Sequence, residues 1–161
     1  MKQMTWHKYG RRYNPKKLVH PSDGEAWTRF DMIHHEKALE ARNVRVALAT
    51  DGFNPYEMAA APYTCWPMFV IPLNLPLGVL FQRQNILLSL IISEHPGNNM
   101  GVFMEPVIDE LVHAWEEGVW TYDRATKKKT SKCMFGTSTP CMTCGHMVFS
   151  VAGVFTGGSH A

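Results

Sequence analysis

The order of apolar and polar positions predicts three short strands in the first two thirds of the chain. Each stretch is dominated by aliphatic side chains, spans about six to eight residues and is followed by turn-forming residues, a pattern typical of strands. The stretches are Val44–Thr50, Thr64–Ile71 and Asn85–Ile92. Because the third is apolar on both faces, we expect it to lie centrally in a sheet.

The spacing of apolar residues also predicts two helices. The first covers Glu25–Glu40, with Ser22 or Asp23 as its N-terminal cap. Its candidate buried positions are Ala26, Trp27, Phe30, Ile33 and Leu39. The second helix has Pro106 in its first turn, a position that proline favours. Its apolar face comprises Val107, Ile108, Leu111, Val112, Trp115 and Val119. The predicted core order is therefore β-β-β-α, preceded by one helix.

Charge divides the chain into three parts. Residues 1–20 contain lysine and arginine but no acid, and Trp6, Tyr9 and Tyr13 are interspersed among the cations. Residues 133–161 contain no formally charged side chain. We therefore expect a basic arm and helix over residues 1–43, an α/β core over 44–123 and an irregular tail over 124–161.

Hydropathy and cysteine usage argue against membrane and secreted classes. The first twelve residues contain no apolar run, so we expect no signal peptide. The longest apolar stretches, Met68–Phe81 and Ile86–Ile92, are shorter than the ~20 residues that span a bilayer. Four cysteines without a secretory signal do not favour a disulfide framework.

Asp51 is the first candidate for chemistry. A carboxylate at the end of a buried strand, held rigidly and followed by a turn, is where Mg²⁺-dependent phosphoryl transfer often places a ligand. The alternative is an ordinary Asp-Gly turn, which is a common structure. Spacing alone identifies no partner carboxylate.

The basic arm is the second candidate, because its cations could contact phosphates while the aromatic residues stack on bases. The candidate phosphate contacts are Lys8, Arg11, Arg12, Lys16 and Lys17. The alternative is a solvated terminus.

Three cysteines and a histidine of the tail form a candidate zinc site. Cys141 and Cys144 have the C-x-x-C spacing, and His146 follows two residues later. Cys133 lies alone upstream, whereas structural zinc sites usually pair two such knuckles. The adjacent His34 and His35 have no ligand partner at helical spacing and are interpreted as solvated helix residues.

Several stretches, in a consistent order, make residues 6–122 resemble the transposases of plant CACTA-type (En/Spm) DNA transposons. These are Trp6–Lys8, His20–Trp27, Phe30-Asp31, Arg42–Arg45, Leu48–Pro55, Trp66-Pro67, Ile71–Pro76, Pro106–Leu111, Trp115–Gly118 and Thr121–Asp123. The resemblance covers roughly three quarters of the chain and a small part of a full transposase.

The resemblance implies an RNase H-like nuclease in which three acidic residues surround divalent metal. It implies that Asp51 is the first of these carboxylates, that Mg²⁺ is the cofactor, that DNA is the partner and that the protein is nuclear. The β-β-β-α order is how such a fold begins. We therefore predict an incomplete RNase H-like fold.

The second acidic residue of the resembling family lies in a fourth strand that ends in a segment like His-Asp-x-x-Ala-Tyr-Gly, which this chain does not contain. Reading the tail codons in the shifted frame gives Asp across the Met142/Thr143 junction and Gly across the Met147/Val148 junction. Their spacing of five is that of the family segment. We therefore interpret residues from about Lys132 onward as an out-of-frame translation, with a slip near Lys127–Lys129.

Three functions follow from these observations. The leading one is a truncated transposase-derived protein that cleaves no DNA. The alternatives are a non-enzymatic nucleic-acid-binding fragment and a small zinc-binding module. In the leading case Val44–Thr50 lacks its fourth-strand neighbour, so we expect an exposed edge and a marginally stable domain. The apolar segment Met147–Phe155 is an alternative partner for that edge.

Overall fold

The structure is a computed structural model, and it describes residues 3–12, 14, 16–56, 63–123, 128–133, 135–137 and 147–149. Described side chains are those up to residue 122. The helices are α1 Trp6–Tyr9, α2 Glu25–Ile33, α3 His35–Leu39, α4 Leu77–Leu80 and α5 Met100–Glu116. The strands are β1 Val44–Thr50, β2 Trp66–Pro72, β3 Leu87–Ile92, β4 Val119–Asp123, β5 Lys128–Cys133, β6 Phe135–Thr137 and β7 Met147–Phe149. The chain is thus mixed α/β.

Strand β1 is the centre of the main sheet. The sheet has the order β3-β2-β1-β6, and β7 also pairs with β1. Strand β2 runs antiparallel to both of its neighbours, β1 and β3. On the other side of β1, β6 pairs in parallel with Val44–Val46, and β7 pairs antiparallel with Leu48–Thr50. Strands β4 and β5 form a separate antiparallel pair.

Helices cover both faces of β1 because its side chains are apolar on both sides. On one face Leu48 and Met68 pack against Met104 and Val107 of α5. On the other face Ala47 packs against a cluster formed by α2, by the segment after β2 and by α4. The buried members of that cluster are Trp27, Leu73, Leu75 and Leu80. The result is a three-layer arrangement, and the prediction of β1 over Val44–Thr50 is confirmed.

The prediction that the third strand lies centrally is wrong. Among the described strands β3 is the edge of the sheet, and it begins at Leu87 rather than Asn85. Leu87, Leu88 and Ile91 are 56%, 54% and 59% exposed. Helix α5 and the Trp27 cluster cover β1 and β2, so the apolar side chains of β3 are left at the surface. The second strand covers Trp66–Pro72, shifted from the predicted Thr64–Ile71.

The predicted helix over Glu25–Glu40 is two helices. The helix is interrupted at His34, whose φ of −114° and ψ of 49° are not helical. Gly24 is the N-cap of α2, and Ser22 and Asp23 lie in a preceding 3₁₀ turn. Because the break redirects the chain, only Trp27 of the five predicted buried positions is buried. Ala26 and Phe30 are half-buried, and Ile33 and Leu39 are exposed.

Helix α5 begins six residues before Pro106, not at it. A 3₁₀ turn over Gly97–Asn99 leads directly into the helix, so the proline lies inside it. Its missing N–H removes one backbone hydrogen bond without ending the helix. The predicted apolar face is confirmed at Val107, which is buried, whereas Val119 belongs to β4. Gly118 lies between the two elements with a positive φ of 71°.

The tail and the outer edge of β1 also differ from expectation. Lys128–Cys133 forms β5, and two further short strands pair with β1, so the tail is not wholly irregular. The outer edge of β1 is therefore paired rather than exposed. Met147–Phe149 belongs to the segment that the sequence suggested as an alternative partner for this edge. Within the described ranges, no helix combines the length and apolarity needed to cross a membrane.

Candidate functional site

Asp51 lies immediately after β1, at the end of the sheet where β2 begins and β3 ends. Its carboxylate is exposed, and its Oδ1 accepts a hydrogen bond from the Gly52 N–H at 2.9 Å. An antiparallel bridge between Phe53 and Cys65 continues the β1–β2 pairing beyond it. The strand thus fixes the Asp51 backbone while the side chain faces solvent, the placement that the sequence predicted.

An indole ring packs directly beneath this turn. A Cβ added at Gly52 would lie 2.4 Å from the Trp66 ring, so only glycine allows this close approach. The Trp66 ring meets the His95 ring edge-on, with 5.2 Å between centroids. Within the described residues, Trp66 Nε1 and Thr50 Oγ1 are buried without a hydrogen-bond partner. The Asp51 turn therefore rests on Trp66.

The described residues do not complete a metal site at Asp51. Nowhere among them do three or more His, Cys, Asp or Glu side chains come together in a way that could hold a metal ion. Mg²⁺ prefers octahedral oxygen coordination, with one or two carboxylates supplemented by water and substrate oxygens. Asp51 supplies one such carboxylate. It is a possible first ligand but not a centre by itself.

We expect Gly52→Ala to destabilise the protein by about 1–3 kcal/mol, since the new methyl group overpacks the Trp66 ring. Gly78→Ala is the matched control, because a Cβ there meets nothing within 4 Å. The control should be neutral or stabilising, as alanine favours a helix more than glycine does. Urea unfolding of both variants measures the difference. Equal stability of the two would show that Trp66 does not support this turn.

The structure separates the five candidate phosphate contacts of the basic arm into two groups. Lys8 Nζ donates to the carbonyl oxygens of Ala38 and Leu39 at 3.0 and 2.8 Å. Arg11 forms an ion pair with Asp23 at 3.0 Å. Three other cations, Arg12, Lys16 and Lys17, are exposed. Lys8 and Arg11 therefore dock the arm on the rest of the chain. This part of the arm is not a solvated terminus, which was the alternative interpretation.

The aromatic residues of the arm differ in the same way. The Trp6 ring meets the His20 ring edge-on, with 5.0 Å between centroids, so it belongs to the docked part. Tyr9 is 74% exposed and remains a candidate for stacking. Tyr13 lies outside the described residues.

Docking buries two histidines of the arm. Burial, and next the nearby Arg45 charge, lowers the pKa of His7 from 6.5 to about 4. Burial likewise lowers the pKa of His20, whose Nε2 lies 2.9 Å from the Leu75 carbonyl oxygen. Both groups favour the neutral imidazole in the folded state. The unfolded chain therefore binds more protons in mildly acidic solution.

Stability should consequently be complete above pH 6.5 and fall as the pH drops from 6.5 toward about 4, the window set by His7. His7→Gln should make this decline in melting temperature shallower, and the exposed control His35→Gln should leave it unchanged. Carboxylates contribute at lower pH: hydrogen bonds from Arg42 lower the pKa of Glu40 to about 2. An unchanged decline in His7→Gln would contradict the burial of His7.

The other histidine and cysteine predictions have mixed outcomes. His34 is not solvated: its ring contacts those of Phe30 and Trp115, with centroids 4.7 and 4.9 Å away. His35 is exposed, as predicted. The candidate zinc ligands Cys141, Cys144 and His146, and the side chain of Cys133, lie outside what the structure describes.

Sequence reasoning missed a polar cluster at the start of β1. Arg45 is 7% exposed, forms an ion pair with Asp31 and lies 3.9 Å from the centre of the Trp27 ring. Asn74 is fully buried and accepts a hydrogen bond from the Arg45 N–H at 2.7 Å. The sequence contained a signal for each residue, because Arg45 and Asn74 are polar residues inside otherwise apolar stretches.

Comparison with known protein families identifies the family of this chain. Residues 15–139 match the transposase family tnp2, which is more than half of the chain. The match includes Asp51 and the exposed cations Lys16 and Lys17, and it ends before Cys141. No curated protein matches the chain, and no solved structure matches it. The extent of the family match shows that this chain belongs to the transposase family tnp2.

Proposed function

We propose that this chain is a transposase-derived protein of plant CACTA-type (En/Spm) elements, with the first part of an RNase H-like core. The observation that carries the proposal is the position of Asp51 at the end of the central strand. The surrounding arrangement supports it: β1, β2 and β3 form an antiparallel sheet, and α5 follows.

In this proposal Asp51 is the first catalytic carboxylate, and Mg²⁺ is the ion it would contact. Two-metal phosphoryl transfer needs ions held about 3.5–4 Å apart by several ligands. Asp51 supplies one carboxylate, and among the described residues no three or more His, Cys, Asp or Glu side chains come together to hold a metal ion. This chain therefore holds Mg²⁺ weakly and does not cleave or join DNA strands by itself.

A nicking assay on supercoiled DNA with Mg²⁺ or Mn²⁺ tests this proposal. The expected result is no cleavage above background by the chain or by Asp51→Asn, with circular dichroism confirming that both are folded. Metal-dependent nicking that Asp51→Asn abolishes would overturn the proposed inactivity while supporting the catalytic role of Asp51. Nicking that survives Asp51→Asn would contradict the proposed site as well.

The proposed cause of inactivity is a frame slip near Lys127–Lys129, which separates the chain from the family's second acidic segment. Sequencing the transcript across codons 120–161 tests it. If the shifted frame stays open and encodes a segment like His-Asp-x-x-Ala-Tyr-Gly, the slip is supported. If that frame closes, or encodes nothing of the family, the tail is genuine and the slip is rejected.

The exposed cations favour a second function, non-enzymatic DNA binding, since a transposase family implies DNA as the partner in general. Arg12, Lys16 and Lys17 are the candidate phosphate contacts, and nuclear residence is part of the same proposal. Lys8 and Arg11 are not part of this exposed set, because contacts within the chain hold both on the docked part of the arm.

Changing these three residues to alanine should weaken DNA binding and lower the salt slope, log Kd against log salt, by about 2–3, since each phosphate contact contributes about 0.9. The matched control changes Arg29 and Arg83, two exposed arginines outside the arm, to alanine. Fluorescence anisotropy with a duplex at several salt concentrations measures both. Equal slopes for the arm variant and the unchanged chain would exclude the arm from DNA binding.

A further inference from the structure

A cavity lies at the opposite end of β1 from Asp51. It has a volume of about 340 Å³ and is enclosed by the docked arm, by α2 and α3, by the start of β1 and by the end of α5. Its lining includes Lys8, Thr28, Lys37, Arg45 and Trp115. This volume falls in the range of small-molecule sites.

Two ammonium groups line this cavity without a carboxylate partner. Lys8 Nζ is held by the Ala38 and Leu39 carbonyl oxygens, as described above. Lys37 Nζ donates to the Trp115 carbonyl oxygen at 2.7 Å and lies 3.3 Å from the centre of the Trp115 ring. Within the described residues neither forms an ion pair. Carbonyl and ring contacts fix the position of an ammonium group but leave its formal charge in place.

Each acid that lines the cavity forms its ion pair with an arginine, and the Glu40 carboxylate also interacts electrostatically with Lys8 without a direct ion pair. Asp31 pairs with Arg45, and Glu40 pairs with Arg42 at 2.6 Å. Arg11 also lines the cavity and pairs with Asp23. Glu116 acts on Lys37 from outside the lining and raises the pKa of its ammonium, but burial has the larger effect and lowers it. The cavity therefore carries an excess of positive charge from Lys8 and Lys37.

The aromatic residues of the cavity are not open stacking platforms. The Arg45 guanidinium covers the Trp27 ring at 3.9 Å, and the Lys37 ammonium covers the Trp115 ring. A planar base would have to displace a cation from either ring. The Thr28 hydroxyl adds a donor to the lining, whereas the Ser22 hydroxyl is bonded to Arg11 and His20 and the Asn43 amide donates to the Lys37 carbonyl oxygen. The chemistry that this cavity favours is a compact anion with several acceptor oxygens.

We infer that the cavity binds a phosphate monoester, carried either by a free nucleotide or by a phosphorylated DNA end. Asp51 follows Arg45 by six positions along the strand, which is about 20 Å at about 3.3 Å per residue. The site is therefore distinct from the proposed catalytic edge, and the inference does not rest on that proposal.

Thr28→Asp tests the inference with little risk to folding. Thr28 is exposed on the first turns of α2, where an acidic residue is favourable to the helix dipole. The new carboxylate opposes an anion in the cavity, so affinity should fall at least about tenfold, while the uncharged control Thr28→Asn should change it by less than about twofold. Lys37→Gln, which removes an ammonium group, should also weaken binding. Melting temperatures confirm that each variant is folded.

Isothermal titration uses four probes: inorganic phosphate, thymidine 5′-monophosphate, and a short single strand with and without a 5′-phosphate. Binding of the nucleotide identifies a free ester as the ligand, and binding of the phosphorylated strand alone identifies a DNA end. Either result, combined with the loss in Thr28→Asp, supports the inference. Equal binding of both strands, equal affinity of Thr28→Asp and Thr28→Asn, or no binding of any probe would overturn it.

Discussion

Replacing Asn74 with leucine is expected to lower the free energy of unfolding by about 4 kcal/mol, since two buried backbone groups lose their partner and each costs about 1–3 kcal/mol. Asn74 is fully buried. Its Oδ1 accepts from the Arg45 N–H at 2.7 Å, and its Nδ2 donates to the Asn43 carbonyl oxygen at 2.9 Å. The side chain thus joins the segment after β2 to the start of β1.

Leucine has the same branched skeleton as asparagine but is larger, because two methyl groups replace the planar amide, so overpacking adds to the cost of the lost hydrogen bonds. Asn74→Asp tests the two bonds separately, because a carboxylate can still accept from Arg45 but cannot donate to Asn43. It should also be destabilising, and more so at neutral pH than in mild acid, where a protonated carboxyl regains a donor. Chemical denaturation measures all the variants.

Asn98→Ala is the control for this series, since Asn98 is exposed in the turn before α5 and should change stability by less than about 0.5 kcal/mol. A loss below about 1 kcal/mol in Asn74→Leu would mean that water or a rearranged backbone replaces the amide. The connection between the two strands would then not depend on Asn74.

Strand β1 could be predicted from the sequence because burial on both faces leaves a largely apolar run, interrupted only by Arg45 before Thr50, and Asp51-Gly52 marks its end. The position of β3 could not. An apolar stretch shows that side chains avoid water locally, but whether a strand is central depends on what packs beside it. Leu87 and Ile91 are exposed because α5 and the Trp27 cluster lie over β1 and β2.

The predicted boundaries of the helices were wrong for a related reason. The periodicity of Glu25–Glu40 continues through His34, yet the Phe30, His34 and Trp115 rings meet at the break. Those contacts join residues far apart in sequence, so no local pattern includes them. The same holds for Pro106, whose preference for a first helical turn is weaker than the packing of Met104 against the sheet.

The two ends of β1 differ in how well their functional residues could be predicted from the sequence. Asp51 could be singled out because its position follows directly from the strand that precedes it. The cavity at the other end brings together the arm, α2, α3, β1 and α5, and its cations are separated along the chain. The sequence counted Lys8 among free phosphate contacts, whereas carbonyl oxygens of α3 hold its ammonium in the fold.

Leu48→Ala tests the central layer of this fold, and we expect it to cost about 3–4 kcal/mol, within the usual range for a buried leucine. Leu48 is 1% exposed and packs with Met68, Met104 and Val107. The substitution removes apolar contacts and leaves a cavity between the sheet and α5. Because whole domains are stable by only about 5–15 kcal/mol, the variant should unfold at a clearly lower denaturant concentration.

Leu87→Ala is the matched control: it removes the same atoms from β3, where the side chain is 56% exposed. Its cost should be below about 1 kcal/mol, since much of that surface is already in water. Guanidinium unfolding of both variants gives the comparison. Equal costs would place the two leucines in similar environments and contradict the assignment of β1 as the covered strand and β3 as the edge. A larger cost for Leu48, with an unchanged denaturant dependence, would support the three-layer core on which the position of Asp51 depends.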